Sequence, residues 1–372
     1  MAMDVLREAK ALERAGRRIV HMELGEPGAP APRLVRKAAA AALEEGAIGY
    51  GEALGDAPLR ARIARHYREN YGVEVAPERV IVTTGSSGGF LIAFLAAFDA
   101  GARIALASPG YPAYANILAA LGLECVAIEV GEATRFAPTA ELIEAAHRSR
   151  RLDGVLVMSP ANPTGTMIAP RELEKICAFC DEAGVTLVSD EIYHGLEHEG
   201  RAETALRFSD RVIVVNSFSK YYAMTGWRLG WLIAPQSLAR PLERLQQSFA
   251  ICAPTLAQRG ALFAFDATTE LEAIKAGYAR SRALLMDRLP KIGLPHFAPP
   301  DGAFYIYADI SHLTDDSMAF CKRMLEEAGV AATPGVDFDR ARGHKTLRLS
   351  YAGAEADVIL GLERLAAWLA RF

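Results

Sequence analysis

The sequence predicts an α/β protein: a large domain with a mostly parallel sheet of seven strands between layers of helices, and a smaller α+β domain. Two observations support this fold class. Seven short runs of apolar and β-branched residues recur between residues 80 and 233, at intervals too long for hairpins. Stretches with helical spacing separate most of them, and such alternation is typical of a parallel sheet buried on both faces.

The elements are predicted from these runs in chain order. The predicted strands are residues 80–82, 104–106, 126–128, 155–157, 185–188, 212–215 and 231–233. The predicted helices between them include residues 90–98, 114–121, 139–147 and 170–183. After Ala234 a long helical stretch precedes two further strands, at 303–310 and 346–351, and a closing helix. We therefore predict a large domain over residues 34–255 and a small domain built from residues 1–33 and 256–372.

Composition and charge argue against several classes of protein. The 372 residues carry 41 Lys and Arg against 45 Asp and Glu without a basic block, so no nucleic-acid or membrane partner is expected. No segment approaches the ~18–20 apolar residues of a membrane span, and residues 1–18 lack the apolar core of a signal peptide. Five scattered cysteines favour a cytoplasmic protein without a disulfide framework.

Two short motifs resemble redox or metal sites but fit them poorly. Cys177 and Cys180 form C-x-x-C on the apolar stripe of a predicted helix, and no second pair completes a zinc site, so we expect core packing. His194 and His198 stand four residues apart, but Gly195 interrupts a helix there, so we expect a solvated turn. No metal site is predicted.

The most informative residues come directly after predicted strands. In open α/β sheets the ligand lies outside the carboxyl ends of the strands. Four strands here lead into residues 84–89, 159–165, 190–193 and 216–220. These segments would bring a Gly/Ser-rich turn, an amide, a carboxylate with a phenol, and a lysine to one edge of the sheet.

Each of these signals also has a plainer interpretation. The Gly/Ser-rich turn is either an ordinary helix start or a site for a single phosphate at a helix N-terminus. It lacks the dinucleotide and Walker patterns, so a dinucleotide or nucleoside triphosphate site is not supported. Asp190 ends an apolar run, where a carboxylate needs either a structural arginine or the protonated ring nitrogen of a cofactor. Lys220 is either a surface lysine or a Schiff-base lysine kept nucleophilic by its surroundings.

Together, these residues match what pyridoxal 5'-phosphate needs: a lysine, an acid for the ring nitrogen, donors to the ring oxygen and a phosphate cup. The chain resembles the class I and II aminotransferases, which have the aspartate-aminotransferase fold (fold type I). The resemblance covers nearly the whole chain. Eight motifs carry it in order: LGEP at 24–27, Y-x4-G with LR at 50–60, TGSSGG, PGYPAY at 109–114, NPTG, SDEIY, SFSK with MTGWRLGW, and RLSYA at 348–352.

The resemblance implies a role in cofactor binding for each matching residue. Lys220 would hold the cofactor as a Schiff base, and Asp190 would pair with its pyridine nitrogen. Asn162 and Tyr193 would hydrogen-bond the ring oxygen, and Tyr111 would stack on the ring. The phosphate would be bound by a set of residues from three segments: Gly85, Ser86, Ser87, Ser217, Ser219 and Arg228.

The resemblance also implies how substrate and subunits are arranged. Arg348 would clamp the substrate α-carboxylate, with Gly25 and Asn162 beside it. Tyr50 would reach the phosphate of a neighbouring subunit, which implies a homodimer with shared active sites. Tyr114 is expected to pack. The chain departs from the family's usual Phe-Gly at Phe338, which Asp339 and a charged run follow, so the loop near the substrate is expected to differ in shape.

The implied function is transfer of an amino group between an L-amino acid and a 2-oxo acid by ping-pong turnover. Lys220, Asp190 and Tyr193 are the expected catalytic residues. A C–S lyase on the same scaffold is an alternative, since only the fate of the carbanion differs. A non-catalytic, cofactor-sensing domain is a third interpretation, although residues 1–30 are too short and too weakly basic for a DNA-binding module. No second arginine can be placed for a dicarboxylate side chain, so the substrate stays open.

Overall fold

The computed structural model describes residues 2–46 and 48–372, so Met1 and Ala47, which belong to the two predicted domains, lie outside it. Within the described residues, no helix has both the length and the apolar character needed to cross a membrane. The α-helices are α1 (Ala2–Arg14), α2 (Arg33–Glu45), α3 (Ala57–Tyr71), α4 (Gly85–Ala97), α5 (Pro112–Ala120), α6 (Ala140–Ser149), α7 (Pro170–Ala183), α8 (Gln236–Ala250), α9 (Thr255–Ala261), α10 (Thr268–Lys291), α11 (Ser317–Arg323) and α12 (Glu355–Leu369). The strands are β1 (Val20–His21), β2 (Val80–Thr83), β3 (Arg103–Ser108), β4 (Glu124–Glu129), β5 (Gly154–Met158), β6 (Thr186–Asp190), β7 (Ile213–Ser217), β8 (Gly230–Ile233), β9 (Tyr305–Asp309), β10 (Val330–Ala331), β11 (Thr333–Pro334) and β12 (Thr346–Ser350).

The largest sheet has seven strands in the order β2-β8-β7-β6-β5-β3-β4. Only β8 runs antiparallel to its neighbours; the other pairs are parallel. Alternate residues of a strand enter two separate apolar cores: Val155 and Val157 pack in one, and Leu156 packs in the other. Helices therefore bury both faces of the sheet, and the predicted seven-stranded, mostly parallel sheet is confirmed.

The strand directions bring four chain segments to one edge of this sheet. Strands β2 and β7 both run antiparallel to β8, so they run in the same direction, which β6 and β5 share. The carboxyl ends of these four strands consequently lie side by side. At these ends lie the Gly/Ser-rich turn, the NPTG segment, Asp190 as the last residue of β6, and the segment that ends at Lys220.

A smaller set of strands lies in the remaining part of the chain. Strands β11, β12 and β9 form an antiparallel sheet, and β1 pairs in parallel with β10. Val20 and Met22 pack in the same apolar core as Leu347 and Leu349, so the N-terminal segment joins the C-terminal elements. The bounds of the two domains stay a prediction.

The structure confirms the interpretation of Cys177 and Cys180 but corrects that of His194. Both thiols lie buried on α7, and burial raises the pKa of each to about 12. His194, expected in a solvated turn, is buried instead, with its Nδ1 2.8 Å from the Tyr71 hydroxyl. Because its neighbours Ile192 and Leu196 are apolar core residues, the turn is drawn inward, and burial lowers the pKa of His194 to about 3.

His21 connects the first helix to the segment that leads into the predicted site. Its Nδ1 donates to Glu23 Oε1 at 2.7 Å, and its Nε2 lies 3.1 Å from Oε1 of Glu13 on α1. The Glu23 side chain is fully buried. The hydrogen bond to Glu23, with the charges of both carboxylates, raises the pKa of His21.

We expect His21 to stabilise the fold more at low pH than at high pH. A histidine whose pKa is raised on folding contributes stability that is complete below its unfolded pKa of about 6.5 and is lost as the pH rises through its folded pKa. The loss of unfolding free energy in His21→Gln should therefore be larger at pH 5.5 than at pH 9 (about these values) in urea titrations. The exposed His296, replaced in the same way, is the reference; a loss that grows with pH contradicts this account.

Candidate active site

A cavity of about 510 Å³ lies at the edge of the large sheet where the four strand ends meet. It brings together eleven of the fourteen residues that the sequence predicted for the site. These are Gly25, Ser86, Ser87, Tyr111, Asn162, Asp190, Tyr193, Ser219, Lys220, Arg228 and Arg348. Gly85, Ser217 and Tyr50 do not line it.

Lys220 lies in the turn after β7, with its amine in the cavity. Its Nζ donates to the carbonyl oxygen of Gly25 at 2.6 Å. Burial, together with the nearby positive charges of Arg348 and Arg228, lowers the pKa of this amine to about 8. A larger fraction of the amine is therefore neutral near pH 7 than for an ordinary lysine, as a nucleophile or base requires.

Asp190 is the last residue of β6 and is almost completely buried. Its Oδ1 accepts from the backbone N–H of Ile192 at 3.0 Å, and its Oδ2 accepts from the hydroxyl of Tyr114. Burial raises the pKa of Asp190 to about 6, although both hydrogen bonds act to lower it. The carboxylate is thus held by neutral donors.

Tyr114 has a larger part in the site than the packing role expected for it. Its ring does pack, edge-on to Phe90 with the ring centres 5.0 Å apart. Its hydroxyl, however, donates to Asp190, as described above. The sequence carries a weak signal for this contact, since Tyr114 follows Tyr111 by three residues at the start of α5 and so lies on the same side of that helix.

The start of α4 and the side chain of Arg228 form a cradle at one end of the cavity. Gly85 has a φ of +68°, which favours glycine, and a Cβ atom there would lie 2.5 Å from Nη2 of Arg228 and displace the guanidinium. Ser86 and Ser87 follow it in the first turn of the helix and line the cavity with Ser219. Helix N-terminal N–H groups, hydroxyls and a guanidinium are together typical of a phosphate site.

Ser217 lies behind this cradle rather than in it. Its hydroxyl donates to the carbonyl oxygen of Leu229 at 2.9 Å and lies 2.8 Å from Oγ of Ser219. Ser217 is buried and does not line the cavity. Its contact with Ser219 can help to position that residue, and its own role in phosphate binding stays a prediction.

Arg348 also lines the cavity and is buried between two rings. Its guanidinium carbon is 4.4 Å from the ring centre of Tyr305 and 4.8 Å from that of Phe338. Its Nη1 donates to Asn162 Oδ1 at 2.7 Å, and its Nη2 donates to the carbonyl oxygen of Glu23. Such a rigidly held fork is suited to a carboxylate.

Two further predicted residues complete the wall near Arg348. The hydroxyls of Tyr193 and Tyr305 lie 2.5 Å apart, so one donates to the other. A Cβ atom at Gly25 would lie 1.7 Å from the Tyr305 hydroxyl, so no other residue fits at that position. Tyr305 was not predicted, because its place in the strand AFYIYADI marks it only as an apolar strand residue.

Tyr50 is the predicted residue that the single chain leaves far from these contacts. It is 84% exposed and lies outside the cavity. Tyr111, by contrast, lines the cavity with a partly exposed ring. The role of Tyr50 at a neighbouring subunit's site stays a prediction.

The donor set fits pyridoxal phosphate. Among the described residues, the buried Asp190 carboxylate accepts hydrogen bonds only from neutral donors, and a protonated ring nitrogen would supply the charge partner that such a group needs. The glycine-dependent cradle at Arg228 has the donors and charge that a phosphate group needs. The same cavity is lined by Lys220, an amine of lowered pKa.

Comparison with known proteins agrees with this geometry. Residues 19–365 match the family described as aminotransferase class I and II. The valine–pyruvate aminotransferase of Mycobacterium tuberculosis is 52% identical, over 99% of this chain and 95% of that protein. The aspartate/prephenate aminotransferase of Thermus thermophilus is 35% identical, over 98% and 94%.

Solved structures show the same similarity in three dimensions. A crystal structure of an aminotransferase from Mycobacterium tuberculosis superposes with a TM-score of 0.97 at 51% identity, covering 100% of this chain and 96% of that chain. The aspartate aminotransferase from Thermus thermophilus with maleate superposes with a TM-score of 0.93 at 33% identity, covering 98% and 96%. The fold is therefore that of these enzymes.

We expect Tyr114→Phe to shift the pH dependence of pyridoxal phosphate binding upward. The Tyr114 hydroxyl favours the ionised form of Asp190, whose pKa is about 6 with that bond in place, so losing the bond raises the pKa further. Cofactor binding is followed by absorbance while the pH is lowered. The apparent Kd of Tyr114→Phe should begin to rise at a higher pH than that of the wild-type protein. Tyr278→Phe is the matched control, because that buried hydroxyl has no hydrogen-bond partner among the described residues. Equal shifts in both variants would exclude a specific role for Tyr114.

Proposed function

The chain belongs to the class I and II aminotransferases, and from this we propose that it transfers an amino group from an L-amino acid to a 2-oxo acid with pyridoxal 5'-phosphate as cofactor. One observation carries the proposal. Lys220, Asp190, Arg228 and Arg348 line a single cavity, although they come from separate parts of the chain. Few other reactions need an amine, a buried acid and two arginines arranged in this way.

The cavity residues divide between the parts of the cofactor. Ser86, Ser87, Ser219 and Arg228 would hold the phosphate, and Asp190 would pair with the ring nitrogen. Asn162 and Tyr193 would hydrogen-bond the ring oxygen, and Tyr111 would pack on the ring face. When bound, pyridoxal phosphate supplies an electron-withdrawing ring that delocalises the electrons left by loss of the Cα proton.

Lys220 would move the proton at the substrate Cα. Its amine, with a pKa of about 8, is available as a base near neutral pH and as an acid once protonated. Arg348 would hold the α-carboxylate through its two Nη groups, since the rings of Tyr305 and Phe338 fix the plane of the guanidinium. An amino acid and a 2-oxo acid both carry this carboxylate, so one clamp serves both halves of a ping-pong reaction.

We further propose that the enzyme acts as a homodimer in a reducing compartment such as the cytoplasm. Ile48, Tyr50, Phe249 and Ile251 are all exposed apolar or aromatic side chains. The segments that carry them lie together, because Thr255 Oγ1 donates to the carbonyl oxygen of Gly49 at 2.7 Å. We call these four residues the Tyr50 patch; such a patch supports an interface. The five cysteines are free thiols, which fits a reducing compartment.

We expect Lys220→Ala to abolish turnover while the protein still binds pyridoxal phosphate. Losing the group that moves the Cα proton should lower kcat by at least about 10⁴-fold, with valine and pyruvate as the first pair to assay. These are the substrates in the name of the relative from Mycobacterium tuberculosis. Lys322→Ala, an exposed lysine on α11, is the control.

Borohydride reduction and peptide mapping should locate the cofactor on Lys220 in the native protein. An active Lys220→Ala variant without added amine contradicts the proposal. Release of pyruvate from a cystathionine-type thioether, without amino transfer, would indicate the lyase instead.

We expect Phe249→Glu to convert a dimer into monomers and to lower activity. A carboxylate at the centre of an apolar interface is desolvated without a partner. Sedimentation and the rate of amino transfer should change together, because the proposal places Tyr50 at the neighbouring active site. Met318→Glu, on α11 outside the patch and 52% exposed, is the matched control. A wild-type protein that is monomeric and fully active would refute the shared-site proposal.

A further inference from the structure

We propose that this active site selects substrates with neutral side chains and that Leu24 is the residue that contacts the substrate side chain. The inference rests on the proposed aminotransferase function and adds to it the substrate class and a determinant of that class. It follows from the path of residues 23–25 through the cavity and from the charges that line it.

Residues 23–25 run beside the line from the reactive amine to the carboxylate clamp. At one end, the carbonyl oxygen of Gly25 accepts from Lys220 Nζ at 2.6 Å. At the other end, the carbonyl oxygen of Glu23 accepts from Arg348 Nη2. An amino acid with its Cα at Lys220 and its carboxylate on Arg348 therefore lies along this segment.

Leu24 is the side chain that this segment turns toward the substrate. The Glu23 side chain points away, buried against His21, and Gly25 has no side chain. Leu24 lines the cavity, as does Leu6 of helix α1. The side chain of a bound amino acid thus meets two leucines, an apolar surface that favours apolar groups.

Each cationic side chain that lines the cavity already has another role in the proposed function. Among the described residues that line it, the cationic side chains are Lys220, Arg228 and Arg348. The proposed function assigns them to the Cα proton, the phosphate and the α-carboxylate. Within one subunit, a second carboxylate on the substrate would find no further cationic side chain among the described residues that line the cavity.

Two acidic residues that line the cavity add to this discrimination. Glu26 and Asp337 both line the cavity, and Glu26 Oε1 accepts from Thr225 Oγ1 at 2.8 Å. A carboxylate side chain would lose its hydration against leucines and acids, which is costly without a compensating partner. Neutral substrates avoid this cost.

The test compares substrates that are nearly the same shape but differ in charge. Leucine and aspartate branch at the same carbon, and asparagine is the uncharged polar analogue of aspartate. We expect the wild-type holoenzyme to convert leucine at least about 100-fold more efficiently than aspartate, with asparagine between them. The measurement is kcat/KM for the first half-reaction, followed by the change in cofactor absorbance.

Variants at Leu24 then test whether this residue determines the preference for neutral side chains. Leu24→Arg adds a cation and should lower the leucine-to-aspartate ratio of kcat/KM by at least about tenfold, because a charge-assisted hydrogen bond becomes available. Leu24→Gln is the matched control: it removes the apolar surface without adding charge, so aspartate should not gain. Equal ratios in the two variants would overturn the role of Leu24.

Asp337→Asn gives a second measurement if Leu24→Arg fails to bind the cofactor. It should raise aspartate conversion relative to leucine, and an unchanged ratio counts against the charge argument. Wild-type efficiencies for leucine and aspartate within about threefold of each other overturn the inference but leave the proposed function standing. If neither these amino acids nor valine and alanine are converted, the proposed function itself fails.

Discussion

The rest of the site depends on keeping the Asp190 carboxylate ionised although it is almost completely buried. Asp190 ends a strand whose residues are buried, and burial alone would favour its neutral form. Tyr114 and the backbone N–H of Ile192 oppose that tendency with two hydrogen bonds. A cationic ring nitrogen opposite Asp190 would complete the set, so a position that is costly in the empty fold becomes favourable with the proposed cofactor in place.

Asp190 and Glu191 are adjacent at the end of β6 but have different surroundings. Glu191 follows Asp190, but its Oε1 accepts from the Thr204 hydroxyl and from the Ala205 N–H. Burial raises the pKa of Glu191 to about 8. Successive residues of an extended chain point to opposite sides. Asp190 therefore faces the cavity, whereas Glu191 points away from it and accepts internal hydrogen bonds.

The small part of the protein contributes the substrate end of the site through a few long-range contacts. Arg348 on β12 donates to Asn162, in the turn after β5, and to the backbone of Glu23, which are far apart in sequence. Glu23 in turn is held by His21, which Glu13 of α1 also contacts. The clamp and the reactive lysine are therefore aligned through residues 21–25, so the position of this segment affects both the binding of a substrate and its orientation.

The sequence by itself determined the seven strands, their mostly parallel direction and the position of Asp190 and Lys220 near strand ends, because buried strands have a local hydrophobic signature. The order of the strands in the sheet came only from the tertiary structure. It did not reveal the paired strands β1 and β10, which have two residues each and so carry no period. Nor could it show that Tyr114 donates to Asp190, that the hydroxyls of Ser217 and Ser219 are in contact, or that His194 is buried. Those features depend on which residues the tertiary fold brings together. Buried polar groups need hydrogen-bond partners, and only the packed structure decides which partners are within reach.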